Sequence, residues 1–151
     1  MNADTLAAID STAETFHILL VEANEDDANL LRRVFFRAGR DLWNVVQVEQ
    51  LEEAIELVFE SSCCFKFDAV LLDLDLSDST GLATLTRFRA EIPDLPVIIL
   101  TTLDDDDLAV RAIQAGAQDY LLKDETTIRQ LIGAIHYAIA RHNVINFSKN
   151  N

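Results

Sequence analysis

Five times along the chain, a short, almost unbroken apolar run gives way to a stretch whose apolar residues recur at helical spacing. The runs are residues 17–22, 43–49, 68–73, 97–101 and 118–122. Runs this short are strands rather than helices, and strands apolar on both faces belong inside a sheet that is covered on both sides. The stretches between them carry helical stripes. Leu31, Val34, Phe35 and Ala38 form one, and Leu51, Ala54, Ile55 and Val58 form the next. Leu82, Leu85 and Phe88 follow, and Asp104 to Asp107 open a helix that stops at Gly116. The last stripe runs through Ile128, Leu131, Ile132, Ile135, Ala138 and Ile139 and on to Ile145.

Strictly alternating strands and helices predict an α/β fold with a parallel sheet. Right-handed crossovers leave few topologies, and five units suit the flavodoxin-like doubly wound (βα)5 arrangement with strand order 2-1-3-4-5. The length of 151 residues argues for one domain, expected over residues 16–142. Residues 1–15 read as an N-terminal tail, and 143–151 as a C-terminal tail or the start of a linker. No output domain is visible, so the chain is either a stand-alone unit or a piece of a longer protein. The stripe reaching Ile145 favours a helix leading into another domain.

Charge removes several function classes. Twenty-six acidic residues face 12 Lys and Arg, for a net charge of −14. Such a surface repels phosphate backbones and anionic lipid, so neither nucleic acid nor membrane is an expected partner. No apolar run spans a bilayer, and Met1 to Thr15 lacks the pattern of a secretory signal. Cys63 and Cys64 are adjacent and form no disulfide framework or zinc pattern. They are read as the end of the second helix, and a cytoplasmic location is expected. His136 and His142 lie six apart and do not share a helix face as metal ligands would. Trp43 and Phe35 are read as packing residues.

In an open α/β sheet, ligands gather at the carboxyl ends of the strands. Glu22 ends the first strand, Asp73 the third with Asp75 just beyond, Thr101 and Thr102 the fourth, and Lys123 the fifth. Taken singly these are turn formers, packing residues or solvated termini. Together they can bind a hard cation and a phosphoryl group.

Four stretches carry a resemblance: residues 18–22, residues 68–74 with Gly81-Leu82 behind them, residues 96–101, and residues 114–123. In this order and spacing the chain resembles a bacterial response-regulator receiver domain of two-component signalling. The resemblance implies that Asp73 is the phosphoacceptor for a sensor histidine kinase or phosphotransfer protein. Lys123 would pair with phosphoryl oxygens or with Asp73, and Thr101 would hydrogen-bond a phosphoryl oxygen. Tyr120 would change rotamer as Thr101 moves. Glu22, Asp73 and the backbone carbonyl of Asp75 would hold Mg2+. The kinase would dock near the first helix, at Arg32, Arg33 and Arg37. A face built by the fourth helix, fifth strand and fifth helix would switch and could form a homodimer. Such a chain is not an enzyme beyond its own phosphorylation and dephosphorylation.

The chain departs from the family at Ala23, where a second acidic residue normally supplies a metal ligand. Its loss should weaken or abolish Mg2+ binding. An engineered substitution, a natural loss, and compensation by another carboxylate all account for it. Asp75 is the expected compensator, against the alternative that its side chain faces solvent. Glu25 and Asp26 are explained by helix capping. Ser77 replaces a common proline and should loosen the loop after the acceptor, while Thr102 adds bulk that could restrict access. Two further readings stand beside the phosphoacceptor: a pseudo-receiver that works purely through protein contacts, and a flavodoxin-like enzyme or nucleotide binder. The last is weakest, because no glycine-rich loop follows any strand.

Overall fold

In the computed structural model, residues 15–39 and 41–150 are described, with side chains as far as residue 145. The expected tail at residues 1–14 lies outside the described residues. Five strands, β1 (Phe16–Val21), β2 (Trp43–Val48), β3 (Ala69–Leu72), β4 (Val97–Thr101) and β5 (Asp119–Leu122), form one parallel sheet in the order 2-1-3-4-5. Between and after them run α1 (Glu25–Ala38), α2 (Leu51–Ser61), α3 (Leu82–Glu91), α4 (Asp106–Gln114) and α5 (Ile128–Asn150). This is the doubly wound flavodoxin-like fold expected from the alternation of patterns.

Strand pleating sorts the apolar runs into two layers. Leu19, Val21, Val70, Leu72, Val97 and Ile99 join α2, α3 and α4 on one side. Ile18, Leu20, Ala69, Leu71, Ile98 and Leu100 join α1 and α5 on the other. All but Leu20 and Leu100 of these twelve are fully buried, which is why β1, β3 and β4 show no polar alternation. The edge strand β5 is only half-buried along its length.

The helix ends correct several expectations. α1 begins at Glu25 because Asn24 caps it: its Oδ1 accepts the Asp27 N–H at 2.9 Å. Cys63 and Cys64 lie in an exposed turn beyond the end of α2, their sulfurs 3.5 Å apart. In α5 the stripe packs through Leu131, Ile135, Ala138 and Ile139, but Ile128 and Ile145 are exposed. The helix continues through Asn150. Its periodicity therefore outlasts the sheet it covers, and a repeating pattern alone cannot show where the partner surface ends. Trp43 packs between Phe16 and Phe35, with the His136 ring 5.1 Å away, at the end of the sheet opposite the carboxylates.

Candidate functional site

The parallel sheet delivers all its strand ends to one edge, where Glu22, Asp73 and Thr101 are buried and Lys123 is half-buried. Glu22 follows β1 and extends the ladder through its N–H to the Val48 carbonyl. Asp73 follows β3, with its N–H on the Val21 carbonyl. Lys123 follows β5, with its N–H on the Thr101 carbonyl. Backbone pairing thus fixes where each side chain starts.

Their tips meet. The Lys123 ammonium lies 2.5 Å from Glu22 Oε1, 3.1 Å from Asp73 Oδ2 and 2.9 Å from Asp27 Oδ2. The Glu22 and Asp73 carboxylates are more than nine-tenths buried, and Asp27 sits at the rim with about a third of its side chain exposed. Burial, followed by the neighbouring Asp73 carboxylate, pushes the Glu22 pKa up to about 7, although Lys123 pulls the other way. Burial alone would lower the Lys123 pKa. Its hydrogen bonds to Glu22 and Asp27, and the charges of Asp73 and Glu22, more than offset that and raise it. The amine therefore stays an ammonium at neutral pH. One cation in contact with three carboxylates leaves the cluster short of positive charge.

The remaining lone pairs are used locally. Asp73 Oδ1 accepts the Asp75 N–H at 3.2 Å, and Glu22 Oε2 accepts the Asn24 N–H at 3.2 Å. Asp75 thus supports Asp73 through its backbone, while its side chain is exposed. The extra carboxylate that approaches the cluster is Asp27 rather than Asp75. Ala23 is half-buried and packs against the apolar layer that holds α2 to α4.

Thr101 is buried at the end of β4, and its Oγ1 accepts the Leu103 N–H at 3.2 Å. The Tyr120 hydroxyl donates to the Leu103 carbonyl at 2.7 Å. Leu103, which the sequence reading did not single out, therefore joins the two residues expected to switch. Burial raises the Tyr120 pKa, and the Asp105 and Asp104 charges add to that effect. Thr102 is exposed.

The loop after Asp73 is tightly tied, contrary to the looseness expected from Ser77. The carboxylate of Asp78 accepts the first two N–H groups of α2, Leu51 at 2.9 Å and Glu52 at 3.0 Å. Gly81 takes a φ of 71° as the chain turns back, and its N–H returns to the Leu74 carbonyl at 2.7 Å. Leu74 and Leu76 are buried beneath the loop.

Two residues that matter here were not legible as site members. Asp27 stands four residues before Leu31 and eight before Phe35, on the stripe that faces the sheet. That placement was the available signal. Asp78 caps a helix from 27 residues away in sequence, and no local motif encodes such a contact.

Glu22 and Asp73 supply hard carboxylate oxygens of the kind Mg2+ takes. Among the described residues, no group of three or more acidic, His or Cys side chains is arranged as a metal site. The donor chemistry fits Mg2+, with one carboxylate fewer than the family supplies because of Ala23.

A doubly wound sheet with a buried Asp and Thr and a half-buried Lys at its carboxyl edge is the arrangement of a receiver-type domain, and the family comparison identifies it as one. The model of the response regulator receiver domain matches residues 18–136. The chain belongs to this family. It is 32% identical over 112 residues to the transcriptional regulatory protein ZraR of Escherichia coli strain K12, covering 74% of this chain and 24% of that protein. It is 36% identical over 103 residues to the two-component response regulator ARR10 of Arabidopsis thaliana, covering 68% of this chain and 18% of that protein. The chain thus spans a quarter or less of these relatives. Among solved structures, it resembles a response regulator receiver domain protein from Clostridium thermocellum, with a TM-score of 0.72 and 26% identity over 86% of this chain and 98% of that one. It also resembles a response regulator from Burkholderia pseudomallei solved with a phosphorylated aspartic acid, a calcium ion and citrate. There the TM-score is 0.65, with 25% identity over 90% of this chain and 75% of that one. Among the described residues, no helix is long and apolar enough to cross a membrane.

Proposed function

We propose that this chain is a phosphoacceptor switch in a two-component relay, and that Asp73 carries the phosphoryl group. The observation that carries this reading is the buried Asp73 carboxylate with the Lys123 ammonium 3.1 Å from its Oδ2, at the carboxyl edge of the sheet. An oxygen of Asp73 attacks the phosphorus of a phosphohistidine on a kinase or phosphotransfer protein. The P–O bond forms as the P–N bond breaks, and the imidazole leaves with the electron pair and takes up a proton. Lys123 meets the charge arriving on the phosphoryl oxygens, and the Thr101 hydroxyl turns to donate its proton to a phosphoryl oxygen, which moves the Oγ1 that accepts the Leu103 N–H. Mg2+, held by Glu22, Asp73 and the Asp75 carbonyl, would offset repulsion between the carboxylate and the phosphoryl oxygens. The Burkholderia relative with its phosphorylated aspartate and calcium ion supports the pairing of acceptor and cation.

That movement of Thr101 also shifts Leu103, whose carbonyl accepts from Tyr120. That couples Asp73 to the face of α4, β5 and α5, where Leu103, Val110, Ile113 and Tyr137 are exposed. Partners or a second copy of the chain would read that face. The donor protein docks at α1, where Arg32, Arg33 and Arg37 are exposed beside Leu30 and Phe36. The chain acts chemically only on itself, in the cytoplasm. Ala23 favours a second reading, an interaction module whose cluster stays closed on Lys123 without metal.

Intact mass after incubation with acetyl phosphate tests the two readings. With Mg2+ the chain should gain one phosphoryl group, which EDTA and Asp73→Asn each abolish. A gain seen only in Ala23→Asp would instead establish the interaction module.

A further inference from the structure

Lys123 has three carboxylate partners, and the strand ends account for only two of them. The third, Asp27, comes from the first turn of α1, where its N–H is fixed by the Asn24 cap. Glu25 and Asp26 in the same turn are exposed and already serve the positive helix end. Asp27 alone turns toward the sheet, and its Oδ2 lies 2.9 Å from the ammonium. Glu22 and Asp73 are the same carboxylates that a divalent cation would need. An ammonium with no other anion to hold would compete with that cation for both of them.

We propose that Asp27 is the positioning residue that holds Lys123 on the α1 side of the pocket when a divalent cation displaces it from Glu22 and Asp73. Asp27 thereby offsets part of what Ala23 removes, acting through Lys123 and not as a ligand. The proposal deepens the phosphoacceptor reading and rests on it.

Mn2+ affinity, measured by electron paramagnetic resonance titration, tests it in four proteins: the parent, Asp27→Asn, Lys123→Gln and the double variant. Thermal melts establish that each is folded. Asp27→Asn should weaken Mn2+ binding about three- to tenfold, because the ammonium falls back onto Glu22 and Asp73. In the Lys123→Gln background the same substitution should change affinity by less than about twofold. Asp27→Glu should restore the parent value. An equal loss in both backgrounds would make Asp27 a direct ligand and overturn the proposal, and so would no loss in either. If the parent binds no Mn2+, the metal-assisted reading itself fails. Nitrogen NMR of the Lys123 ammonium then decides the anchor separately. A slowly exchanging signal in the parent that Asp27→Asn abolishes supports it, and a signal that survives overturns it.

Discussion

Two loops follow the neighbouring strands β3 and β4, and they are built in opposite ways. The loop from Asp73 to Gly81 has two buried leucines beneath it, a bridge between Asp75 and Thr80, and a carboxylate locked onto the neighbouring helix. The loop from Thr102 to Asp105 is exposed throughout. It is held to the sheet by two hydrogen bonds on the backbone of Leu103, and Asp105 caps α4. The acceptor loop gains stability from burial and the switch loop from a few reversible polar contacts. Under the proposed function, a domain that holds its reacting group still while changing its surface would use that division. Elements that move come from the low-stability end of a structure.

The sharpest way to break this comparison is to empty the core beneath the acceptor loop. Leu76 is 3% exposed. Leu76→Ala should cost about 2–5 kcal/mol in urea denaturation, from lost burial plus the cavity left behind. A cost below about 1 kcal/mol would mean that the loop collapses easily and is not the rigid partner. Asp78→Ala ranks next, at about 1–2 kcal/mol, the usual worth of a helix cap. Its pH dependence adds a sign. Burial alone would raise the Asp78 pKa, but the Glu52 and Leu51 N–H groups hold it below its ordinary 3.8. The stability it contributes is therefore fully present above about pH 3.8 and is lost as pH falls through the folded value. The gap between the parent and Asp78→Asn should close below that pH. A gap that stays constant down to pH 3 would show that the carboxylate charge is not what ties the loop to α2.

How much of this was legible in the sequence follows the same divide. The doubly wound order was readable because burial on both faces forces continuous apolar strands, and local pattern carries that information. The strand-end residues Glu22, Asp73, Thr101 and Lys123 were readable because a parallel sheet sends its carboxyl ends to one edge. Asp27 was not, since any acid in a first turn satisfies the helix dipole and only the packed stripe distinguishes the one that turns inward. Asp78 was not, since its partners lie across the fold. Ser77 misled, because looseness was inferred from a missing proline while the neighbouring residue supplied the constraint. Ile128 and Ile145 misled because a helical period continues past the surface it packs on.

The smaller effects belong to the switch loop. Tyr120→Phe removes one hydrogen bond from a half-exposed hydroxyl, so it should cost only about 0.5–1 kcal/mol. Leu103 is 44% exposed, and Leu103→Ala should fall within about 0.5 kcal/mol of the parent, as surface substitutions do. The backbone groups that Thr101 and Tyr120 hold survive that change, so stability and the link should separate. Amide hydrogen exchange at residue 103 distinguishes them. Leu103→Ala should leave its protection close to that of the parent, whereas Tyr120→Phe should lower it, because the carbonyl loses the partner that helps keep this peptide in place. Equal protection in both variants would mean that Thr101 alone holds the loop. The Tyr120 hydroxyl would then carry no part of the link between Asp73 and the outer face.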